Sequence, residues 1–266
     1  MKAAYCTLGC KVNQYDTQAM RELMENAGYD TVDFEDEADV YIVNTCTVTA
    51  TGDKKSRQMI SRAHGRNPDA KIVVAGCYSQ RSPEEVLALP GVSLVIGSKD
   101  RANIVGLLAN LHEGRLNAVG SLMGEHEFEE LVATREGRTR AHLKIQEGCD
   151  RYCTYCIIPY ARGPLRSRTP ENIRKNLLLL AEHGYKEVVM TGIHLMSYGK
   201  DMDWKVDLTD AIVAHMFHVA SKLAKELGIA ENGFRLVINT GKDGGQSVPH
   251  LHLHMTGGRE HGWPAG

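Results

Sequence analysis

No uninterrupted apolar run in this 266-residue chain approaches the roughly 20 residues an α-helix needs to cross a bilayer, which excludes a helical membrane span. The opening stretch, Met1-Lys2-Ala3-Ala4-Tyr5, shows no apolar signal segment, so cytoplasm is the expected location. An excess of one charge sign is also lacking, with 31 Lys and Arg against 33 Asp and Glu. The formal net charge is only −2, so affinity for a polyanion would have to come from a local patch rather than from the chain as a whole. Cysteines are few and odd in number, seven. Scattered through a chain without a secretion signal, they read as metal-binding or catalytic thiols, not as a disulfide framework. What is present, 42% hydrophobic residues, suffices for a buried core, and the length suggests two domains or more.

Three of the thiols are crowded into Gly148-Cys149-Asp150-Arg151-Tyr152-Cys153-Thr154-Tyr155-Cys156, a C-x3-C-x2-C loop after an expected strand, His142 to Gln146. A structural zinc site wants four N or S ligands, so a zinc loop would need a distant residue to complete it. An iron-sulfur cube held by three cysteines instead keeps one iron open for another ligand. Around this loop, from Arg135 to Lys175, ten Lys/Arg stand against four acids, a local excess of six. Such a run is often a solvated face, but its coincidence with the thiols fits a polyanionic substrate. The turn Arg162-Gly163-Pro164-Leu165-Arg166-Ser167-Arg168 is placed to hold RNA phosphate.

In chain order, the pattern predicts strands at Lys2 to Leu8, Asp39 to Asn44, Lys71 to Ala75 and Leu94 to Ile96. Helices are predicted at Gln14 to Ala27, closed by Gly28, at Thr51 to His64, after the Ser82 cap with Pro83 at the first helical position, and at Arg101 to His112. Alternation of this kind indicates a doubly wound parallel sheet. Cys10, Cys46 and Cys77 each fall just past the carboxyl end of a different strand, and in an open parallel sheet those ends share the rim where ligands bind. Three distant thiols are thereby expected to converge. Cys6, inside the first strand, is expected in the core. Glu113 to Arg138, polar and without sustained period, reads as a linker. A helix from Pro170 to His183 and a strand from Glu187 to Thr191 follow the basic turn.

The cysteine loop, with Ile145-Gln146-Glu147-Gly148-Cys149 before it and Cys156-Ile157-Ile158-Pro159-Tyr160-Ala161-Arg162-Gly163 after it, resembles the radical S-adenosylmethionine (SAM) enzymes of the tRNA methylthiotransferase branch. Thr7-Leu8-Gly9-Cys10-Lys11-Val12-Asn13-Gln14, Val43-Asn44-Thr45-Cys46-Thr47 and Ala75-Gly76-Cys77-Tyr78-Ser79-Gln80 look like three blocks of that family's N-terminal domain. Within the family they are similar to the branch acting on threonylcarbamoyladenosine beside the tRNA anticodon. The resemblance implies two 4Fe-4S clusters, one on Cys149, Cys153 and Cys156 that binds SAM, and an auxiliary one on Cys10, Cys46 and Cys77 that carries the sulfur. It also implies an external electron donor and tRNA as partner. Tyr155 matches the aromatic position near the SAM adenine, although ordinary packing would also place a tyrosine there. Thr191 to Leu195 and Ser197 to Gly199 match a second strand end near SAM.

The family's barrel of about six β/α units is represented by about one and a half, and the text changes between Asp207 and His215. From there the chain resembles the C-terminal half of the histidine triad (HIT) nucleotide-binding proteins, through Phe234 to Asn239, Gly244-Gly245-Gln246-Ser247-Val248-Pro249-His250-Leu251-His252-Leu253-His254, Gly258-Arg259 and Trp263-Pro264. On a strand His250, His252 and His254 share one face; a zinc-binding strand or a surface histidine patch are the plain alternatives. The resemblance implies that His252 attacks the α-phosphate of a purine nucleotide derivative, with Asn239, Ser247, His250 and His254 in support. A homodimer would have to complete the pocket whose front half is missing. The expected organisation is α/β. A methylthiotransferase N-terminal domain (1–112) is followed by a linker (113–138), a truncated radical SAM partial barrel (139–210) and an α+β histidine triad fragment (211–266). An inactive fusion product is the remaining reading.

Overall fold

A computed structural model describes residues 1–48, 50–111, 114–135, 140–185, 187–202, 208–237 and 253–258. The chain divides into two compact units, Met1–Lys205 and Val206–Gly266.

The first unit opens with β1 (Lys2–Thr7), α1 (Lys11–Asn26), β2 (Asp30–Val32), β3 (Val40–Thr45), α2 (Ala50–Arg66) and β4 (Lys71–Gly76). The short helices α3 (Cys77–Arg81) and α4 (Pro83–Leu87), then β5 (Val92–Val95), α5 (Ile104–Ala109) and β6 (Leu116–Asn117), complete a six-stranded parallel sheet ordered β2-β1-β3-β4-β5-β6. Its strands are apolar on both faces because helices cover both. Ala3, Val40, Ile42, Val73 and Ala75 pack with Met20 and Met24 of α1 and Ile104 and Leu108 of α5. Their neighbours Ala4, Tyr41, Val43, Ile72 and Val74 pack with Ile60 and Ala63 of α2 and Val86 of α4. The chain leaves β1 in one direction to β2 and in the other to β3, which makes the β1/β3 boundary the switch point of the sheet. That is where open α/β sheets bind ligands.

A second sheet follows. β7 (Arg140–Glu147) pairs antiparallel with β8 (Arg166–Ser167) and parallel with β9 (Glu187–Gly192). Between β7 and β8 lie the cysteine loop and α6 (Ile158–Arg162), and between β8 and β9 lies α7 (Pro170–Glu182). Thr169 caps α7 by accepting from the Asn172 amide, as threonine does at an N-cap; Ser82 makes no such bond to α4.

The stretch expected to be a linker does not hang free. Leu122, Leu131 and Ala133 are buried, the Leu131 carbonyl accepts from Tyr15 (2.6 Å) and Arg168 (2.7 Å), and the Glu22 carboxylate accepts from the Thr134 and Arg135 amides at 2.7 Å each. It is a strap laid across α1, held by carbonyls and amides that a polar, aperiodic sequence does not advertise.

In the second unit α8 (Leu208–Glu226) precedes β10 (Phe234–Val237), which pairs antiparallel with β11 (His254–Gly257). His254 and Thr256 are exposed while Met255 and Gly257 are half-buried, the alternation a one-sided strand requires. The expected roles of Asn239, Ser247, His250 and His252 fall outside the described residues. Among the described residues no helix is long and apolar enough to cross a membrane.

Candidate functional site

Three parallel strands deliver three thiols to one rim. The register pairs Thr7 with Asn44, Asn44 with Ala75 and Thr45 with Gly76, so the carboxyl ends of β1, β3 and β4 lie side by side; Cys46 and Cys77 follow β3 and β4 directly, and Cys10 comes three residues after β1. Cys46 packs on Gly9: a Cβ at Gly9 would fall 2.8 Å from the Cys46 Cβ. Gly76, at φ +99°, passes so close to Asn44 and Thr45 that a Cβ there would sit 2.4 Å from Asn44 Oδ1. Only glycine lets the chain turn there into Cys77. Burial pushes the Cys77 thiol up, Arg162 opposes it, and Cys46 and Cys10 add to the upward push, which is the electrostatic signature of three thiols sharing one neighbourhood.

The second thiol set begins where β7 ends. Gly148 adopts φ +71°, and a Cβ there would meet the Pro164 carbonyl oxygen at 1.7 Å, so the loop closes backbone to backbone. The Cys149 amide donates to the Gly163 carbonyl at 3.1 Å and the Cys156 amide to the Cys153 carbonyl at 2.9 Å, while Asp150 Oδ1 accepts from the Leu165 amide at 3.0 Å. Gln146 locks the entrance: its amide nitrogen donates to the Gly148 carbonyl at 2.7 Å and its oxygen accepts from the His194 amide at 2.6 Å. Cys149 is buried, Cys153 exposed and Cys156 intermediate. Tyr155 is 90% exposed, not packed in a core. Tyr160 is exposed too, and Tyr152 stands edge-on to it with ring centroids 6.0 Å apart.

Cys6 is only partly buried, yet it packs against the sheet core and burial pushes its thiol up to about 11, so it is a protonated filler. Among the described residues no three His, Cys, Asp or Glu side chains are gathered tightly enough to grip a single ion. Thiols that hold a cube bind separate irons and need a wider spacing than ligands of one ion. The donor set of each triplet, thiols with neighbouring cationic or amide groups, suits an anionic iron-sulfur cluster.

The expected phosphate-binding role of Arg162, Arg166 and Arg168 is corrected by the structure. Arg162 and Arg168 have no exposed surface and Arg166 only 3%. Arg168 donates to Leu131 and Tyr15, and Arg166 donates to the Arg162 carbonyl at 2.7 Å. Arg162 enters a buried ionic cluster that the sequence reading missed. Asp16 accepts from Lys144 (2.6 Å), Arg162 (3.1 Å) and Arg101, and Glu147 accepts from Arg162 (2.5 Å), Lys144 (2.7 Å) and Arg101 (3.2 Å). Glu129 of the strap completes the shell around Arg101 at 2.7 Å. Burial alone would raise Asp16 and Glu147, but Arg101, Lys144 and Arg162 outweigh it and hold both carboxyls below the ordinary carboxylate range, Glu147 well below. One signal was available: Asp16 lies among Val12, Tyr15, Ala19 and Met20, all buried on the inner face of α1. A carboxylate at a core position of a helix needs a buried cation.

The fold and the two thiol sets define an α/β protein with a cysteine-lined rim joined to a cysteine-loop sheet. Residues 2–97 match the family described as Uncharacterized protein family UPF0004, and residues 199–261 match the HIT domain; the latter begins ahead of the changeover expected between Asp207 and His215. The chain is 54% identical over 202 residues to the threonylcarbamoyladenosine tRNA methylthiotransferase MtaB of Bacillus subtilis, covering 75% of this chain and 45% of that protein. It is 39% identical over 272 residues to the MtaB of Aquifex aeolicus, covering 97% and 63%. It thus spans roughly half to three fifths of the length of these relatives. A solved radical S-adenosylmethionine methyltransferase, TsrM from Kitasatospora setae, shares the fold over 85% of this chain and 51% of its own, with TM-score 0.52 at 13% identity. By sequence the chain is similar to the MtaB methylthiotransferases over most of its own length, and its residues 199–261 match the HIT domain.

Proposed function

We propose that this chain carries the chemistry of a radical SAM tRNA methylthiotransferase acting on threonylcarbamoyladenosine. The observation that carries the reading is the presence of both thiol triplets in one compact unit, Met1–Lys205, one on the ligand-binding rim of a parallel sheet and the other on a glycine-closed loop. Cys149, Cys153 and Cys156 would hold a cluster that leaves one iron for SAM, and Cys10, Cys46 and Cys77 a second one. When bound, such a cluster supplies the electron that cleaves SAM to an adenosyl radical. The protein's part is to hold and shield. Gln146 and Gly148 set the loop's shape, and exposed Tyr155 offers a face on which an adenine can stack. Contact with tRNA falls to groups that face solvent, Arg151 for phosphate and Tyr160 for a base, because the arginines of the 162–168 turn are committed inside.

Anaerobic reconstitution, reduction with dithionite and assay of 5′-deoxyadenosine formed from SAM test this directly. The expected result is formation that disappears in Cys149→Ala; product at the same rate in that variant, or none from chain that holds iron on the loop, rejects the reading.

The HIT match supports a second reading, hydrolysis of a purine nucleotide phosphoramidate through His252. It predicts AMP release from adenosine phosphoramidate by this chain and its loss in His252→Ala. No release, or release unaltered by the substitution, removes it.

A further inference from the structure

Arg162 has its guanidinium nitrogens engaged by different groups. Nε donates to Cys77 Sγ at 3.0 Å, Nη1 to Asp16 (3.1 Å) and Glu147 (2.5 Å), and Nη2 to Asn13 Oδ1. No part of the residue is exposed. Its position in the chain matters as much as its contacts: it ends α6, the helix that follows the cysteine loop, and the next residue, Gly163, accepts from the Cys149 amide. Two consecutive residues therefore touch both thiol sets, one through its side chain and the other through its carbonyl.

We propose that Arg162 is a positioning residue for the Cys77 sulfur, donating through Nε to Sγ and thereby raising the reduction potential of the iron-sulfur centre that Cys10, Cys46 and Cys77 would hold. The inference rests on the reading of that rim as a cluster site. The physical reason is the charge change on reduction. The added electron spreads over the cluster and its thiolate sulfurs, and a donor fixed on one of those sulfurs stabilises the more negative state. A donor so fixed is valuable only if it cannot swing away, and here two carboxylates and an asparagine hold the other edge of the guanidinium. Lysine would keep the charge for Asp16 and Glu147 but cannot present a planar fork with a further nitrogen to the sulfur.

The test uses full-length chain in which Cys149, Cys153 and Cys156 are alanine, so that only the rim can load, and compares Arg162 with Arg162→Lys. Iron and sulfide content are measured first, then the midpoint potential by dithionite titration followed in visible absorbance. The expected result is equal iron with a more negative midpoint in Arg162→Lys; equal iron with an unchanged midpoint overturns the proposal. Absence of iron in the Arg162 parent rejects the cluster reading of the rim instead. If Arg162→Lys does not fold, metal-free chain labelled with [15N]arginine tests the Nε–Sγ contact on which the proposal stands. The Nε–H signal of Arg162, assigned through its contacts to Asn13 and Cys77, should exchange with water at least about tenfold faster in Cys77→Ala, since a hydrogen-bonded buried donor is released. No change in shift or exchange overturns the proposal without reference to iron.

Discussion

Lys144 has no contact with water and sits between Asp16 and Glu147 at 2.6 and 2.7 Å. A lysine in that position is retained by its partners or not at all, since a lone buried ammonium would lose its proton. Lys144→Met should therefore cost about 3–5 kcal/mol, the usual consequence of breaking a buried ion pair from one side. Urea denaturation at neutral pH measures it, and a loss below about 1 kcal/mol would mean that Arg101 and Arg162 satisfy both carboxylates unaided. Along the sequence Lys144 and Arg162 were countable only as members of a basic run. Lys144 lies between Leu143 and Ile145 on a strand, an alternation that by itself does not reveal burial, yet β7 is buried on both faces from Ala141 to Glu147.

Elements were legible to the extent that their own residues dictate them. The helix expected from Gln14 to Ala27 runs Lys11–Asn26 and is followed by Gly28 at φ +88°. The strands expected at 71–75 and 187–191 are found at Lys71–Gly76 and Glu187–Gly192. β2 and β6 were not foreseen, because edge strands of three and two residues carry no period to detect. The cysteine loop depends on Gly148, whose φ of +71° and closeness to Pro164 leave no room for a side chain. In chain lacking the three rim cysteines, Gly148→Ala should lower iron bound by the loop at least about tenfold, through backbone strain and displacement of the 163–165 segment. Gly65→Ala, where a Cβ would meet nothing within 4 Å, should leave the iron content unaltered. Equal loading of both variants would mean the loop tolerates another path.

At the scale of the whole molecule, the ionic cluster joins α1, the Arg101 turn, the strap, β7 and α6, so the stability of Met1–Lys205 is tied to the ionisation of Asp16 and Glu147. Both carboxyls titrate below their unfolded values. Their contribution is therefore fully present above the unfolded pKa near about 4 and is lost as pH falls through the folded values. Denaturant midpoints for metal-free chain should hold level from pH 7 to about 5 and fall steeply below about 4. A flat profile to pH 3 would show that folding does not hold these carboxyls below their unfolded values. By itself the sequence determined the strand-helix alternation and the location of six thiols past strand ends and in one loop, since period, caps and spacing are properties of neighbouring residues. Only the tertiary structure decided that the arginines after the loop face inward. A buried charge is tolerable only where opposite charges converge on it, and those charges, from Asp16 to Glu147, meet through packing between segments whose separation along the chain says nothing about their distance in space.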